Sequence, residues 1–534
     1  MKYKVCVLAA GRNDKVSYSK IINNALLPVG DQAAISKIID KFPLETEIIV
    51  PIGYNSHQIK DFISIAHSSR NITFIEIDNW DGPGSGPGYS LLQCKDQLQC
   101  PFIFTSCDTI VEEDILLAKN NWIGVAPVTD SKEFCIAEVS NNLVRDFYDK
   151  VETHILLKTC YDYQTILENA FIGMAGIIDY HDFWNELERH KKDLIKGELQ
   201  VSNGLRGLIE KELHTINFTW FDVGHEVGYE YANRYFEKNR VLRKDDEFIY
   251  FEKDLVIKYF NDEKIVSRRM ERTQLLEGYV PDIYMYNHNF YAYKKIPGRI
   301  LSEVVDNRLF KDLLNFYNSN LWEKKNLDST EKTKFKDACL QFYKSKTEMR
   351  IEKFYDKSKI TDQEEKINGL TVPTLSELMK NIDWDDLSNG IPVLYHGDFQ
   401  PENIIITDEN KYMLIDWRQD FSGILEFGDI YYDLAKMEHA LILSGEIIRN
   451  NQFEISKTHN NIDFQYLVKS NLNDYIPIFH SFIADNGYNL EKVNILTSLI
   501  YLNIAALHHS PYRNLLYYLG KLMLFSAQTG KAKY

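Results

Sequence analysis

Val5-Cys6-Val7-Leu8-Ala9-Ala10-Gly11 is the stretch on which the fold of the first half of the chain turns. A short apolar run stops at two alanines and a glycine, so it reads as a strand that closes into a loop. Further along, Glu47–Ile52, residues 72–77 and residues 102–105 carry branched or aromatic residues of the same kind. Between these runs, residues 33–42, 58–66 and 89–98 place apolar side chains at helical spacing. Strand and helix in alternation predict βαβ units and a mixed, mostly parallel sheet. Residues 222–236 read as a helix that closes this domain.

The whole chain has 534 residues, which is too many for one core and predicts two to four compact units. Hydrophobic residues make up 44% and charged residues 26%, as in an ordinary globular protein. The formal net charge is −16 and no Lys/Arg run is dense enough to follow a phosphate backbone, which argues against nucleic acid as a partner. Seven scattered cysteines without a C-x-x-C pair predict reduced thiols rather than a disulfide framework or a zinc site. The first apolar run is too short for a signal peptide, and no later run reaches the length of a membrane span. The expectation is a cytoplasmic protein without membrane contact.

In an α/β sheet, the loop after the first strand is where backbone N–H groups meet phosphates, which makes Leu8, Ala10 and Gly11 candidates. Asn24-Ala25-Leu26-Leu27-Pro28-Val29 follows, and then the glycine-rich Gly82-Pro83-Gly84-Ser85-Gly86-Pro87-Gly88. Phe102-Ile103-Phe104-Thr105-Ser106-Cys107-Asp108 ends a strand on an Asp, and Trp220-Phe221-Asp222-Val223-Gly224 supplies a second one. Two carboxylates at strand ends beside glycine-rich backbone have the chemistry of a Mg²⁺–triphosphate site.

The order of these pieces resembles the Rossmann-like α/β fold of the sugar-1-phosphate nucleotidylyltransferases and phosphocholine-type cytidylyltransferases, over about residues 1–235. The resemblance implies that Asp108 and Asp222 bind Mg²⁺ and that Gly11 and Gly86, with Leu8, Ala10 and Arg12, border the nucleotide. It implies that Lys150 contacts the acceptor phosphate and that Lys15 stands where the family has a catalytic arginine. Gly-x-Gly-x-Arg of the family is here Gly11-Arg12-Asn13-Asp14-Lys15, and the family lysine before Ala-Leu-Leu-Pro is Asn24. An amide cannot replace a full positive charge on a triphosphate, so Lys15, Arg12 or Lys20 has to supply it.

From residue 244 the pattern changes. Residues 248–252 and Leu255–Phe260 read as a hairpin, residues 268–276 as a helix, and residues 283–285 and 290–296 as further strands. Residues 303–390 are helical and highly charged, and after strands at 393–395 and 412–415 the chain is expected to end in long helices. Strands first and helices afterwards predict a bilobal α+β unit. In it, His396-Gly397-Asp398-Phe399-Gln400-Pro401-Glu402-Asn403 sets an Asp and an Asn five residues apart after a strand, and Asp416 ends the next strand. A base for an acceptor hydroxyl, an amide ligand and a carboxylate ligand for Mg²⁺ are what phosphoryl transfer requires. A hairpin between Asn403 and Asp416 would bring the three to one edge.

This arrangement resembles the aminoglycoside phosphotransferase and choline kinase superfamily, over about residues 243–534. The resemblance implies Asp398 as the catalytic carboxylate, Asn403 and Asp416 as metal ligands, and Lys258 as the strand lysine on the ATP α/β-phosphates. Glu271 is the ion-pair partner it suggests for Lys258, with Glu277 an open alternative. The kinase glycine-rich loop is missing at 244–247. Trp322, Trp417, Tyr431 and Tyr432 admit two readings, a cage for a quaternary ammonium or ordinary core packing. Asp429 reads either as a substrate contact or as a helix cap.

Together the resemblances imply domains at 1–238 and 243–534 and a bifunctional enzyme with Mg²⁺ at both sites. ATP would phosphorylate a small alcohol, amino-alcohol, polyol or sugar, and an NTP (CTP favoured) would convert the phosphate to an NDP-activated precursor of a surface polysaccharide. A sugar kinase joined to a uridylyl- or thymidylyltransferase is one alternative. A kinase with a degenerate nucleotide-binding domain is the other. Acceptor and oligomeric state are not legible.

Overall fold

The computed structural model describes residues 3–115, 119–128, 132–149, 168–237 and 246–531. The chain forms two compact units. Met1–Asn239, Asp245–Asn261 and Met285–Ala292 make the first, and Arg240–Lys244, Asp262–Tyr284 and Tyr293–Tyr534 the second.

A nine-stranded sheet organises the first unit, in the order Ile72–Glu76, Glu47–Ile52, Lys4–Leu8, Phe102–Ser106, Glu168–Ile177, Trp122–Val128, His214–Asn217, Leu143–Asp149, Cys135–Ser140. The first four strands run parallel. Glu168–Ile177 is antiparallel to both of its neighbours, and Leu143–Asp149 is antiparallel to Cys135–Ser140. The sheet is therefore mixed: the first four strands are parallel, His214–Asn217 is parallel to Trp122–Val128, and the remaining pairings are antiparallel. Lys4–Leu8 shows why the opening run forms a central strand. Val5 and Val7 join one core cluster and Cys6 and Leu8 the other, so period-2 alternation buries both faces. Helices Ala34–Ile39, Ser56–Ala66 and Pro87–Gln93 fall within the three expected segments or extend them by a few residues. Part of the expected closing helix is instead strand: Trp220–Asp222 pairs with Thr109–Val111, and the helix proper is Glu226–Phe236.

The hairpin Glu247–Glu252 and Leu255–Phe260, read from the sequence as the start of the second domain, groups with the first unit. Its aromatic side chains explain this. Tyr250 and Tyr259 are fully buried, and their hydroxyls donate to the carbonyls of Leu26 and Ile21, each at 2.7 Å.

In the second unit, Asp262 caps the helix Glu263–Leu275 by accepting from the Lys264 N–H. A small sheet joins Gly298–Ile300, Ile404–Thr407 and Tyr412–Leu414. Ile430–Ile442, Leu490–Ala505 and Tyr512–Thr529 form a buried helical core. A second sheet, Leu370–Val372, Glu365–Ile367, Asn461–Tyr466 and Phe453–Thr458, lies where only helix was expected. Polar residues alternate along Phe453–Thr458, so its strands carry no continuous apolar run. Cys6, Cys94, Cys107 and Cys339 are buried free thiols, and among the described residues no helix is long and apolar enough to cross a membrane.

Candidate functional site

Asp108 and Asp222 come together through local pairing. In the two-stranded ribbon of the first unit, Asp222 stands opposite Thr109, next to Asp108 in the chain. The Val223 N–H donates to the Asp108 carbonyl at 3.0 Å, which locks the two turns together. A Cβ added at Gly224 would lie 2.7 Å from Asp108 Oδ2 and 3.1 Å from Asp222 Oδ1, so both carboxylates flank one point. Ser106 Oγ donates to Asp108 Oδ1 at 2.5 Å, and the Gly224 N–H to Asp222 Oδ1 at 2.9 Å. Burial, and then the neighbouring Asp222 charge, hold the Asp108 carboxyl above the usual carboxylate range. Two converging carboxylates that repel each other fit a divalent cation, which would here be shared with substrate phosphates. Among the described residues no three His, Cys, Asp or Glu side chains gather as a cage of their own.

The loop after the first strand meets this pair. Asn13 Nδ2 donates to the Gly224 carbonyl at 2.6 Å. Lys15 Nζ lies 3.0 Å from His225 Nε2 and 2.6 Å from Glu133 Oε2. His225 Nδ1 lies 2.7 Å from Asp222 Oδ2, and this bond raises the imidazole's affinity for a proton. Leu8 ends its strand, and the Ala10 carbonyl accepts from the Tyr54 N–H at 2.9 Å. Gly11 is exposed, with nothing near the position of a Cβ. Arg12 pairs with Asp14 at 2.9 Å and lies over the Tyr54 ring. Gly86 caps the helix Pro87–Gln93 at φ 114°, and a Cβ there would press to 2.8 Å from the Leu199 carbonyl oxygen, so backbone packing alone demands glycine. Lys150 lies outside the described residues. Asn24 is buried in a 3₁₀ turn and accepts from Ser19 Oγ at 2.5 Å. Its side chain is thus committed to the interior of the loop.

In the second unit, the hairpin Ile404–Thr407 and Tyr412–Leu414 pairs Ile404 with Leu414, and the Ile415 N–H donates to the Asn403 carbonyl at 2.9 Å. Asn403 and Asp416 therefore leave the same end of one hairpin, as the sequence spacing predicts. Asn403 Nδ2 donates to the Asp398 carbonyl and to Asp398 Oδ2, both at 3.0 Å. Its Oδ1 has no donor among the described residues and suits a hard cation. Asp416 adopts the left-handed region at φ 65°, and its Oδ1 pairs with Arg269 at 2.9 Å. Asp398 Oδ1 pairs with Lys436 at 2.7 Å.

Behind them, buried Asp433 accepts from the backbone N–H groups of His396 and Gly397 at 2.8 and 2.7 Å and from Trp322 Nε1 at 3.1 Å. Burial pushes this carboxyl up to about 6 and the His396 imidazole down to about 4. Asp429 caps the helix Ile430–Ile442 and accepts from Tyr343 Oη, which is the helix-cap reading of that residue. Trp322, Trp417, Tyr431 and Tyr432 are all buried, which is the core-packing reading. Lys258 is buried in the strand Leu255–Phe260, which belongs to the first unit. Glu271 is exposed on the helix Glu263–Leu275, and Glu277 is exposed just beyond it.

Five residues of these sites escaped the sequence reading: Asn13, His225, Lys436, Asp433 and Arg269. Lys436 and Asp433 are three apart on one helix and share a face, a spacing visible once the helix is assumed. His225 and Arg269 carry no signal outside the fold.

No family model matches the chain. The chain is 26% identical over 220 residues to the "bifunctional protein GlmU" of Methanococcus vannielii, covering 40% of this chain and 50% of that protein. It thus spans about half the length of the curated relative it matches. Among solved structures it is similar to a CTP:phosphocholine cytidylyltransferase of Streptococcus pneumoniae, at 12% identity and a TM-score of 0.37, over 44% of this chain and 100% of that one. It is also similar to a UDP-glucose pyrophosphorylase, at 15% identity and a TM-score of 0.35, over 44% and 98% of the two chains. Over less than half of its length, then, the chain is similar to proteins of the nucleotidyltransferase type.

Proposed function

We propose that the chain is a bifunctional enzyme, a nucleotidyltransferase followed by a small-molecule kinase. The observation that carries the first activity is the convergence of Asp108 and Asp222 on Gly224. The 26% identity to a bifunctional relative supports it. In this reading an acceptor phosphate attacks the α-phosphorus of an NTP, a P–O bond forms, and pyrophosphate leaves. The nucleophile is already anionic, so the protein's work is alignment and charge neutralisation. Mg²⁺ held by Asp108 and Asp222 would supply the positive charge. Lys15 lies one histidine away from the pair, and Leu8, Ala10, Gly11, Arg12 and Gly86 border the nucleotide.

For the second activity, Asp398 accepts the proton of an acceptor hydroxyl, and the γ-phosphoryl of ATP passes to that oxygen with loss of ADP. Asn403 and Asp416 would hold Mg²⁺ beside the ATP phosphates. In series the steps are R–OH + ATP → R–OP + ADP, then R–OP + NTP → NDP–R + pyrophosphate. CTP is the favoured NTP, with UTP or dTTP and a sugar phosphate as the alternative, and NDP–R suits the activation of a polysaccharide building block. One observation favours a kinase with a merely nucleotide-binding first domain: Asn24 is buried where the resemblance expects a lysine.

The test is incubation with ATP, each NTP, Mg²⁺ and a panel of alcohols, amino-alcohols, polyols and sugars with their phosphates, following ADP and pyrophosphate separately. Asp108→Ala and Asp222→Ala should lower pyrophosphate release at least about a thousandfold and spare ADP release. Asp398→Ala and Asp416→Ala should do the reverse. Loss of both products in one folded variant sinks the assignment of separate sites. ADP without pyrophosphate across the panel leaves the kinase-only reading standing.

A further inference from the structure

The nucleotide loop of the first unit is laced to the second carboxylate's turn in alternating register. Asn13 meets Gly224, Lys15 meets His225, and the backbone N–H and Oγ of Ser17 donate to Glu226 at 2.7 and 2.8 Å. Asn13 also accepts the Lys15 N–H at 2.9 Å, so its amide joins the loop to itself and to the turn. Residues 13, 15 and 17 thus face 224, 225 and 226 in order, and two of the positions that depart from the family pattern, Asn13 and Lys15, are both part of the lacing.

We infer that His225 is a positioning residue that holds the Lys15 ammonium beside the Asp108–Asp222 pair, so that Lys15 supplies the charge that Asn24 cannot. This rests on the nucleotidyltransferase reading. The hydrogen bonds determine the tautomer: an ammonium can only donate, so His225 Nε2 accepts and Nδ1–H donates to Asp222. One imidazole therefore orients a cation and a metal-binding carboxylate together, with Nζ at 3.0 Å on one side and Oδ2 at 2.7 Å on the other. Asn24 cannot take this part, because its side chain is buried against Ser19. Lys15 can. Its side chain is half exposed, and its other partner, Glu133, is exposed on the same surface. Glu133 thereby occupies the ammonium until a polyphosphate competes for it.

The experiment is calorimetric binding of CTP, UTP and dTTP, and of the matching monophosphates, to the full chain in Mg²⁺. Lys15→Ala and His225→Ala should each weaken the triphosphate about tenfold and leave the monophosphates unchanged. The double variant should lose less than the sum of the two single losses, because His225 acts in part through Lys15. His225→Gln, whose amide donates to Asp222 and accepts from Lys15, should restore most of the affinity. Glu133→Gln, a surface change, should tighten triphosphate binding severalfold by removing the competing anion. Unchanged binding by His225→Ala overturns the inference alone. So do equal losses for tri- and monophosphates, additive losses in the double variant, or no tightening in Glu133→Gln. A wild type that binds none of the triphosphates overturns the nucleotidyltransferase reading, and the inference with it.

Discussion

In the first unit, Asp108 and Asp222 stand against the same glycine with no lysine or arginine bonded to either among the described residues. In the second, Asp398 and Asp416 each meet a cation of the protein, Lys436 at 2.7 Å and Arg269 at 2.9 Å. Two buried carboxylates away from the sites, Glu252 and Glu365, differ in the same way. Among the described residues, buried Glu252 of the first unit is bonded by Gln32, the Ala33 N–H and Ser36, with no lysine or arginine. Buried Glu365 of the second is held between Lys521 at 2.9 Å and Lys457 at 3.1 Å. A carboxylate pair left without a built-in cation waits for an external one, and repulsion within it is stored until that cation arrives. A carboxylate already paired is quiet at rest, and a ligand must share or displace its partner.

The strongest way to break this comparison is to remove the second unit's cation. Arg269→Ala removes the guanidinium paired with Asp416 Oδ1 and should cost about 3 kcal/mol, read as a lower urea midpoint. A loss under about 0.5 kcal/mol would mean that the pair is solvated like a surface one.

Next comes Glu252. Burial pushes this carboxyl from its ordinary 4.5 up to about 7. The unfolded chain gives up the proton first, so the folded state binds more protons between those values and stability falls as pH rises from 4.5 through 7. The shift corresponds to about 3 kcal/mol above that window. Glu252→Gln should abolish this part of the pH dependence and be the more stable form at pH 8. Glu365→Gln, which strands Lys521, should be the less stable one there. Parallel pH profiles for wild type and Glu252→Gln would show that the carboxyl is not held proton-bound in the fold.

The smallest effect should be at the first site itself. Asp108→Asn removes the repulsion with Asp222 and keeps an acceptor for Ser106, so it should raise stability by about 1 kcal/mol in Mg²⁺-free buffer. Added Mg²⁺ should stabilise the wild type and not the variant, which would close the gap. The same substitution at Asp416 should destabilise, because there it removes an ion pair. Equal signs at the two positions would erase the contrast between the units.

What could be read from the chain alone followed from how local each device is. Asp398, Asn403 and Asp416 are joined by one hairpin, so their spacing announces their meeting. The opening strand announces itself because burial on both faces demands an unbroken apolar run. The hairpin Glu365–Ile367 and Leu370–Val372 escaped although Asn368-Gly369, both at positive φ, is a strong turn signal, because the surrounding charge reads as helix. Glu271 matched by position on its helix, but the residue on that helix that reaches a site carboxylate is Arg269. Helical phase, which only packing sets, decides between them.

The sequence by itself determined that an α/β sheet comes first, which Asp and Asn residues end its strands and hairpins, and that Asn24 leaves a charge missing. Tertiary structure alone decided that the hairpin Glu247–Phe260 belongs with the first unit and that Asp398 and Asp416 meet Lys436 and Arg269. It also decided that Lys15 reaches Asp222 through His225. The reason is that charge pairing depends on distances across the fold, between residues such as 15 and 225 or 269 and 416, and nothing local in the chain encodes those distances.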